Sequence, residues 1–553
     1  MAGAFVWAVN DGEKIYKNDF NNSNRAGNSA WDGGKITLFS GRNETVAFQA
    51  VVENGGRMLK GLSVSLKNLE PMQTEIFKEH YLYIPHDKIT PLAWFFAEGG
   101  RPRKYGWTPD ALIPIEACGG VDICPGETQA FWFDIYVPPD VNAGLYKGAV
   151  EITSPDGVLA ALPLELLVMD ITLTDDLRRK NMVFMSGLED YYPERTDAVT
   201  DDFHKMARAH GFDIVGVAAH SKPFCEETLE SYYAKFMRDG DNLFTPKYGY
   251  DRWGRGRGAR VFPIGMYGAD VMGDSDDQLL AEAAKWSRWF AGKNWPGTRF
   301  WYICDEPKAD QYDFVKSRSG VLKRNNVDLP VFTTAAFKPE LEGYIDHWSD
   351  GYGVNLADRE KHPGNEFSFY NGYSPCTPMV VLDGSAVEFR VNQWLKERYN
   401  VDLYFYWESA HWRHNRRPPR GGGAQNVWQD PITFIAYGTE EEGEYISGEY
   451  RLSFGNGDGT FFYPGREPFF PENSLGFDGP ITSIRMKNLR RGAQDAAYIQ
   501  MANDAGLRGP VAELIRKATP AGMSEANRNQ PPAWSSSGSD WDSYRLELMR
   551  LLL

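Results

Sequence analysis

The sequence predicts a multidomain β plus α/β fold, an N-terminal immunoglobulin-like β-sandwich followed by a (β/α)8 TIM-type barrel. Three observations lead there. The chain has 553 residues, more than one ordinary core organises. Its first part alternates apolar and polar residues in short runs bounded by Gly, Pro, Asn and Asp. After "LTDDLRRK" (173–180) the rhythm becomes strand-length apolar runs separated by helix-length amphipathic ones.

In the first part, "ETVAFQAVVENG" (44–55), "LKGLSVSLKNL" (59–69), "ETQAFWFDIYVP" (127–138) and "GLYKGAVEITSP" (144–155) read as strands. The turn-then-strand character of "VPPDVNAGLYKGAVEI" is that of an immunoglobulin-like sandwich, placing a supporting domain at 1–175. Eight strand candidates follow: 182–188, 212–220, 261–268, 299–307, 330–336, 350–356, 367–373 and 401–409. Amphipathic segments at 276–293, 310–325 and 386–400 lie between several of them, which places a (β/α)8 barrel at 176–510. The remainder, 511–553, is a polar loop and an amphipathic helix expected to pack on the barrel wall.

Composition narrows the function classes. The formal charge of -16 and pI of about 5.2 argue against a nucleic-acid partner. No stretch approaches the length of a membrane span. The 17 Trp, 28 Tyr and 32 Phe suit a protein that stacks sugar faces on aromatic rings, although a large core also uses them. Five cysteines show no CxxC pair and no zinc spacing, so neither a metal nor another cofactor is expected; Cys118 and Cys124 are close enough in sequence to close a short loop in an oxidising compartment. The opening "MAGAFVWAVNDGEKIY" has an apolar run too short for a signal peptide. The expected setting is secreted, periplasmic or cell-surface with the leader removed, and a cytoplasmic one is the alternative.

The sharpest local feature is "WYICDEPKAD" (301–310), where an apolar run stops at two adjacent carboxylates, Asp305 and Glu306, and then Pro307. One reading is a helix N-terminus, where acids cap free N–H groups and proline fits the first turn. The other is a catalytic pair at the C-terminal end of barrel strand 4, the face where barrel enzymes gather their reacting groups. The placement in the barrel favours the second.

Three blocks in order, "YICDEP" (302–307), "GNGDGTFFYPG" (455–465) and "GPITSIRMKNLRRGAQDAAYI" (479–499), with "LYFYWES" (403–409) between the first two, resemble the catalytic barrel of glycoside hydrolase family 123 and its wider superfamily. The N-terminal region is similar to the domain preceding that barrel. The resemblance implies a β-N-acetylhexosaminidase, of the β-N-acetylgalactosaminidase type, working by substrate-assisted catalysis. It implies Glu306 as general acid/base and Asp305 as the group orienting the 2-acetamido substituent. The chain departs from the family pattern at "GAQDAAYI" (492–499), where relatives carry an acidic "EDYEYL"-like helix.

Further candidates lie on the same barrel face. Glu408, ending the last strand, is either a conventional nucleophile opposite Glu306 or a structural or substrate-binding carboxylate. Tyr406 and Trp407 are expected to line a sugar site, with Tyr267 and Trp412 as possible ligand contacts and Tyr302 in the core. His220 either binds sugar hydroxyls or is a satisfied loop histidine. "NGDG" (456–459) lacks the ligand spacing of a calcium loop and reads as a tight turn, with Asp458 a candidate substrate contact. Of two basic stretches, "DRWGRGRGAR" (251–260) and "HWRHNRRPPR" (411–420), the second lies on the catalytic face, where Arg416 and Arg417 suit an anionic glycan. The substrate class expected is thus an oligosaccharide or polysaccharide, possibly anionic. The alternatives are another glycosidase of the superfamily using Glu408, or a noncatalytic glycan-binding protein.

Overall fold

The computed structural model describes residues 3–91, 96–97, 103–413, 423–435, 444–446, 449–451 and 454–553. Two sheets form the N-terminal part. In the first, Ala4–Asn10, Glu44–Asn54, Glu127–Val137, Gln73–Ile84 and Gly106–Pro114 pair antiparallel in that order. In the second, Ile36–Arg42, Gly157–Thr172, Gly144–Ser154, Leu59–Lys67 and Val121–Ile123 are neighbours, with one parallel pair, Ile36–Arg42 on Gly157–Thr172. Their facing sides share one apolar core, containing Trp7, Phe48 and Phe133 from the first sheet and Leu38, Val150 and Leu164 from the second. Period-two alternation dictates this inner face. The other face of the first sheet is buried too: Ala47, Phe77, Leu112 and Trp132 pack on Ala386 and Ile484 of the barrel region.

The barrel strands, numbered here β1 to β8, are Lys180–Phe184, Asp213–Val215, Val261–Ile264, Thr298–Cys304, Val331–Thr333, His347–Asp350, Glu366–Tyr370 and Leu403–Tyr406. All neighbours are parallel, in the order β2-β1-β8-β7-β6-β5-β4-β3, so the ladder is continuous except between β2 and β3. Met182, Phe300, Tyr302, Phe332 and Phe405 fill the interior. Helices α1 (Thr196–Ala209), α2 (Asp276–Lys293), α3 (Tyr312–Arg324), α4 (Glu388–Tyr399) and α5 (Ile484–Asp504) surround them, followed by α6 (Arg508–Ala518) and α7 (Gly538–Leu551). α2 begins where its sequence says it should: Ser275 accepts from the Gln278 N–H, and the Gln278 side chain returns the bond to Ser275.

Two expectations shift. β6 ends at Asp350, where the run expected as a strand begins; Gly351 and Gly353, the latter at φ +95°, turn 351–355 into a loop. β2 is short because Gly216, at φ +105°, breaks the apolar run before the helical turn Ala218–Ser221. In addition, the long connection after β8 returns to the N-terminal part. Its strand Pro480–Ser483 joins the edge of the first sheet, with Thr482 opposite Leu112.

α5 carries the "SIRMKNLRRGAQDAAYI" residues, and their charges face protein. Asp134 of the first sheet accepts from Lys487 at 2.6 Å and from Arg490 at 2.6 and 2.8 Å. Asp110 takes Arg485 in a bidentate pair at 3.0 and 2.8 Å. Asp495 holds Arg390 of α4 and Arg545 of α7, and Arg545 also reaches Glu44. Gly492 lets α4 and α5 touch: a Cβ there would lie 2.6 Å from the Arg390 carbonyl oxygen. α5 is thus the centre of a buried ionic joint between barrel, first sheet and C-terminal helix. No helix among the described residues is long and apolar enough to cross a membrane.

Candidate active site

The site grows from a local irregularity at the end of β4. Tyr302 opposes Phe332 and Cys304 opposes Thr333 on β5, leaving Ile303 as an extra residue in the ladder. Such a bulge breaks the alternation of side chains and re-aims those that follow. Glu306 completes the turn at φ +42°, a left-handed conformation that costs a non-glycine residue on the order of 1–3 kcal/mol. Asp305 and Glu306, although adjacent, consequently line one pocket. They cap no helix: the following helical turn starts at Ala309, and Lys308 is its N-cap residue.

The pocket has a volume of about 520 Å³ and opens among the C-terminal ends of the barrel strands. Its floor anchors one carboxylate. Asp305 Oδ1 accepts from the Tyr302 and Thr334 hydroxyls, each at 2.6 Å, and Thr334 Oγ1 accepts the Glu306 N–H at 2.9 Å. Burial, with Asp305 beside it, pushes the Tyr302 phenol well above its ordinary pKa and keeps it a donor. Among the described residues these contacts fall on Oδ1 and none on Oδ2.

Glu306 differs. Burial raises its pKa above the usual glutamate value and the nearby Asp305 charge adds to the rise, while a hydrogen bond from Tyr370 at 2.5 Å and the Lys308 charge oppose it. A carboxyl of raised pKa next to one anchored by two hydroxyls is the division of labour needed for one proton donor and one fixed anion.

Trp407 forms a wall. Its indole N–H donates to Asp458 Oδ1 at 3.0 Å, and its backbone N–H to Asn371 Oδ1 at 3.1 Å. Burial pushes Asp458 up to about 6, against the bonds from Trp407 and Tyr406. The "NGDG" segment is a turn, with Gly457 at φ +68° and Gly459 at φ +75°. Tyr267, at φ +54°, is a second non-glycine left-handed residue on the pocket, and its hydroxyl donates to the Trp407 carbonyl.

The structure brings Asp305, Glu306, Trp407, Tyr267 and Asp458 to one pocket and places other candidates elsewhere. Tyr406 is fully buried and sits behind the wall, donating to Asp458 at 3.2 Å; it is no sugar contact. Glu408 is 3% exposed and is absent from the pocket lining; it accepts from Ser186 at 2.6 Å and from the Ser409 and Ala410 N–H groups, and burial pushes it to about 7. His220 is fully buried between Tyr232 and Phe262 and accepts the Gly216 N–H, so it is a core residue. Trp412 is also core, packed on Tyr191 and donating to the Phe462 carbonyl. Arg416 and Arg417 lie outside the described residues. In the other basic stretch, Arg252, Arg255, Arg257 and Arg260 pair with acidic neighbours.

Sequence reasoning missed Thr334, Asp350 and Tyr370. Tyr370 ends β7 two residues after Ser368, a position that alternation alone assigns to the barrel interior. Asp350, pushed to about 6 by burial against the Tyr352 N–H and Arg528, ends β6 and was hidden by the misplaced strand. Among the described residues no group of His, Cys, Asp and Glu is arranged to hold a metal ion.

No protein-family model and no curated protein matches the sequence. Among solved structures, a family 123 glycoside hydrolase from Clostridium perfringens, described for glycolipid glycan hydrolysis, superposes with a TM-score of 0.62 at 12% identity, over 100% of this chain and 97% of that one. A family 39 glycoside hydrolase from Bacteroides cellulosilyticus WH2 matches at a TM-score of 0.29 and 11% identity, over 68% of this chain and 76% of that one, too distant to add to the argument. Over its full length this chain therefore has the fold of that family 123 glycoside hydrolase.

Proposed function

We propose that the protein is a glycoside hydrolase that cleaves a β-linked N-acetylhexosaminide, of the N-acetylgalactosamine type, by a retaining, substrate-assisted route. The observation that carries this reading is the pair at the end of β4: Glu306, turned left-handed, shares a pocket with Asp305 and has the raised pKa of a proton donor. Asp305, held on Oδ1, presents Oδ2 to the N–H of the 2-acetamido group. The acetamido oxygen attacks the anomeric carbon while Glu306 gives its proton to the departing glycosidic oxygen. The oxazolinium ion formed is stabilised by ionised Asp305. Glu306, now a carboxylate, takes a proton from water as that water opens the oxazolinium with net retention. Trp407 supplies a ring for the apolar face of the sugar. The two N-terminal sheets, read as an immunoglobulin-like sandwich, brace the barrel through α5. The burial of Glu408 and its three hydrogen bonds weigh against its being the nucleophile.

The test is a set of aryl glycosides with and without the 2-acetamido group. Only the former should be hydrolysed, a thiazoline mimic of the oxazoline should inhibit, and Asp305→Asn should lower kcat about 100-fold or more. Glu306→Gln should cost far less on substrates whose leaving group needs no protonation. Glu408→Gln should keep activity. Trapping of a fluorinated sugar on Glu408, with no thiazoline inhibition, would refute the mechanism.

A further inference from the structure

Away from the pocket, three exposed aromatic side chains stand together at one end of the first N-terminal sheet: Tyr105 is 56% exposed, Tyr83 46% and Trp107 41%. Tyr83 and Trp107 face each other across the strands Gln73–Ile84 and Gly106–Pro114, with ring centroids 5.1 Å apart. Tyr105 directly precedes the second strand, and the His86 ring meets it edge-on at 4.9 Å. Lys17 lies over Trp107 at 5.0 Å while pairing with Glu127 at 2.9 Å. Tyr83 and Trp107 are set on two strands that stay paired with each other through Ile84 and Gly106, so little backbone freedom is lost when a ligand covers them. Exposed aromatic area of this kind marks a binding surface.

The rim says which ligand fits. Beside Tyr105 is a depression of about 270 Å³ lined also by Asn18, Asp19 and Lys104. A pyranose ring has a face of C–H groups that stacks on an aromatic ring and an edge of hydroxyls that needs such donors and acceptors. The depression is lined by one carboxylate, Asp19, and two cations, Lys104 and Arg103, of which Arg103 is engaged with the Thr90 carbonyl, and Glu127 nearby is paired with Lys17. These charges nearly cancel, and the formal charge of -16 on the whole chain disfavours anionic lipid and polyanionic glycan alike. The surface is also joined to the catalytic pocket by hydrogen bonds. The Lys104 N–H donates to the Asp383 carbonyl at 3.2 Å, Asp383 accepts the Thr90 N–H at 2.7 Å, and Thr90 Oγ1 accepts the Asn456 N–H at 3.1 Å. Asn456 is two residues from Asp458 on the pocket wall.

We propose that Tyr83, Tyr105 and Trp107 form an ancillary platform that holds a neutral glycan chain outside the site of cleavage. That the chain held is also the substrate rests on the glycosidase reading; the binding itself does not.

The experiment uses the full-length chain with Glu306→Gln, so that nothing is consumed, in native gels containing xyloglucan, galactomannan or glycol chitin, with chondroitin sulfate as the anionic comparison. At least one neutral polysaccharide should retard the protein, and adding Tyr83→Ala and Trp107→Ala should weaken the retardation roughly tenfold or more. In the otherwise native chain the same pair of substitutions should leave turnover of a small aryl glycoside unchanged, which shows that the variant folds. Where no aryl glycoside is a substrate, an unchanged melting temperature serves as that control. No retardation in any neutral gel, equal retardation of the variant, or retardation by chondroitin sulfate alone overturns the proposal. So does self-association that the two substitutions abolish, since the occupant would then be a second copy. Retardation by a neutral glycan together with inactivity on every glycoside sinks the glycosidase reading and leaves the platform standing.

Discussion

Glu306 carries opposing influences whose signs separate its neighbours' roles. Burial and Asp305 raise its pKa, and the Tyr370 hydroxyl lowers it by bonding to the charged form. Removing that hydroxyl leaves only the Lys308 charge against the raising influences, so Tyr370→Phe should lift the pKa of Glu306 further. If Glu306 donates the proton, kcat/KM falls on the alkaline side as Glu306 ionises, and in Tyr370→Phe this limb should move to higher pH. A pH profile on an aryl glycoside with a poor leaving group measures it. A limb that stays in place or moves down would mean that Glu306 is not the group titrating there. Tyr370 could not be found from spacing alone, because its partner lies 64 residues earlier on another strand.

At the scale of elements, the pocket depends on how loops leave the barrel strands. The turn after β8 carries Asp458 to the indole of Trp407, and it does so through Gly459. A Cβ on Gly459 would lie 2.6 Å from Trp407 Cζ2, and the backbone there is at φ +75°. Gly459→Ala should therefore destabilise the protein by about 1–3 kcal/mol and raise KM by displacing the ring. Thermal unfolding and steady-state kinetics on an aryl glycoside test both parts; unchanged KM would remove Trp407 from the sugar site. The "NGDG" turn was legible as glycine punctuation, and α2 was legible from its amphipathic pattern. The bulge that redirects β4 was not legible, since an extra residue in a ladder is defined only against the partner strand.

For the molecule as a whole, the ionic joint around α5 couples the N-terminal sheets to the barrel. Burial alone would raise the Asp134 carboxyl, but Arg490 and Lys487 outweigh it and hold Asp134 far below the usual carboxylate range. The sign follows: its contribution to stability is present above the ordinary aspartate pKa and is lost as pH falls through the lower folded value. At neutral pH, Asp134→Ala would leave Lys487 and Arg490 buried without their partner, at a cost of about 3–5 kcal/mol. Denaturant unfolding at pH 7 measures it, and a loss under about 1 kcal/mol, as for an exposed pair, would show that the joint does not brace the fold.

What the sequence determined by itself was period and order. Alternation at period two marked four strands of the N-terminal sheets, and the alternation of strands with amphipathic helices announced the barrel and set Asp305 and Glu306 at the end of its fourth strand. Period assigns a residue to one face or the other; it does not say how deep that face lies. Tyr406, Trp407 and Glu408 are consecutive, and nothing in "YFYWES" distinguishes the ring on the pocket wall from the one behind it or from the carboxyl turned to Ser186. Tertiary structure decided those, because each outcome depends on a partner distant in the chain: Asp458 for the two rings, Ser186 for Glu408, Thr334 for Asp305 and Tyr370 for Glu306. Hydrogen bonds and burial form between groups that only the folded barrel brings within reach.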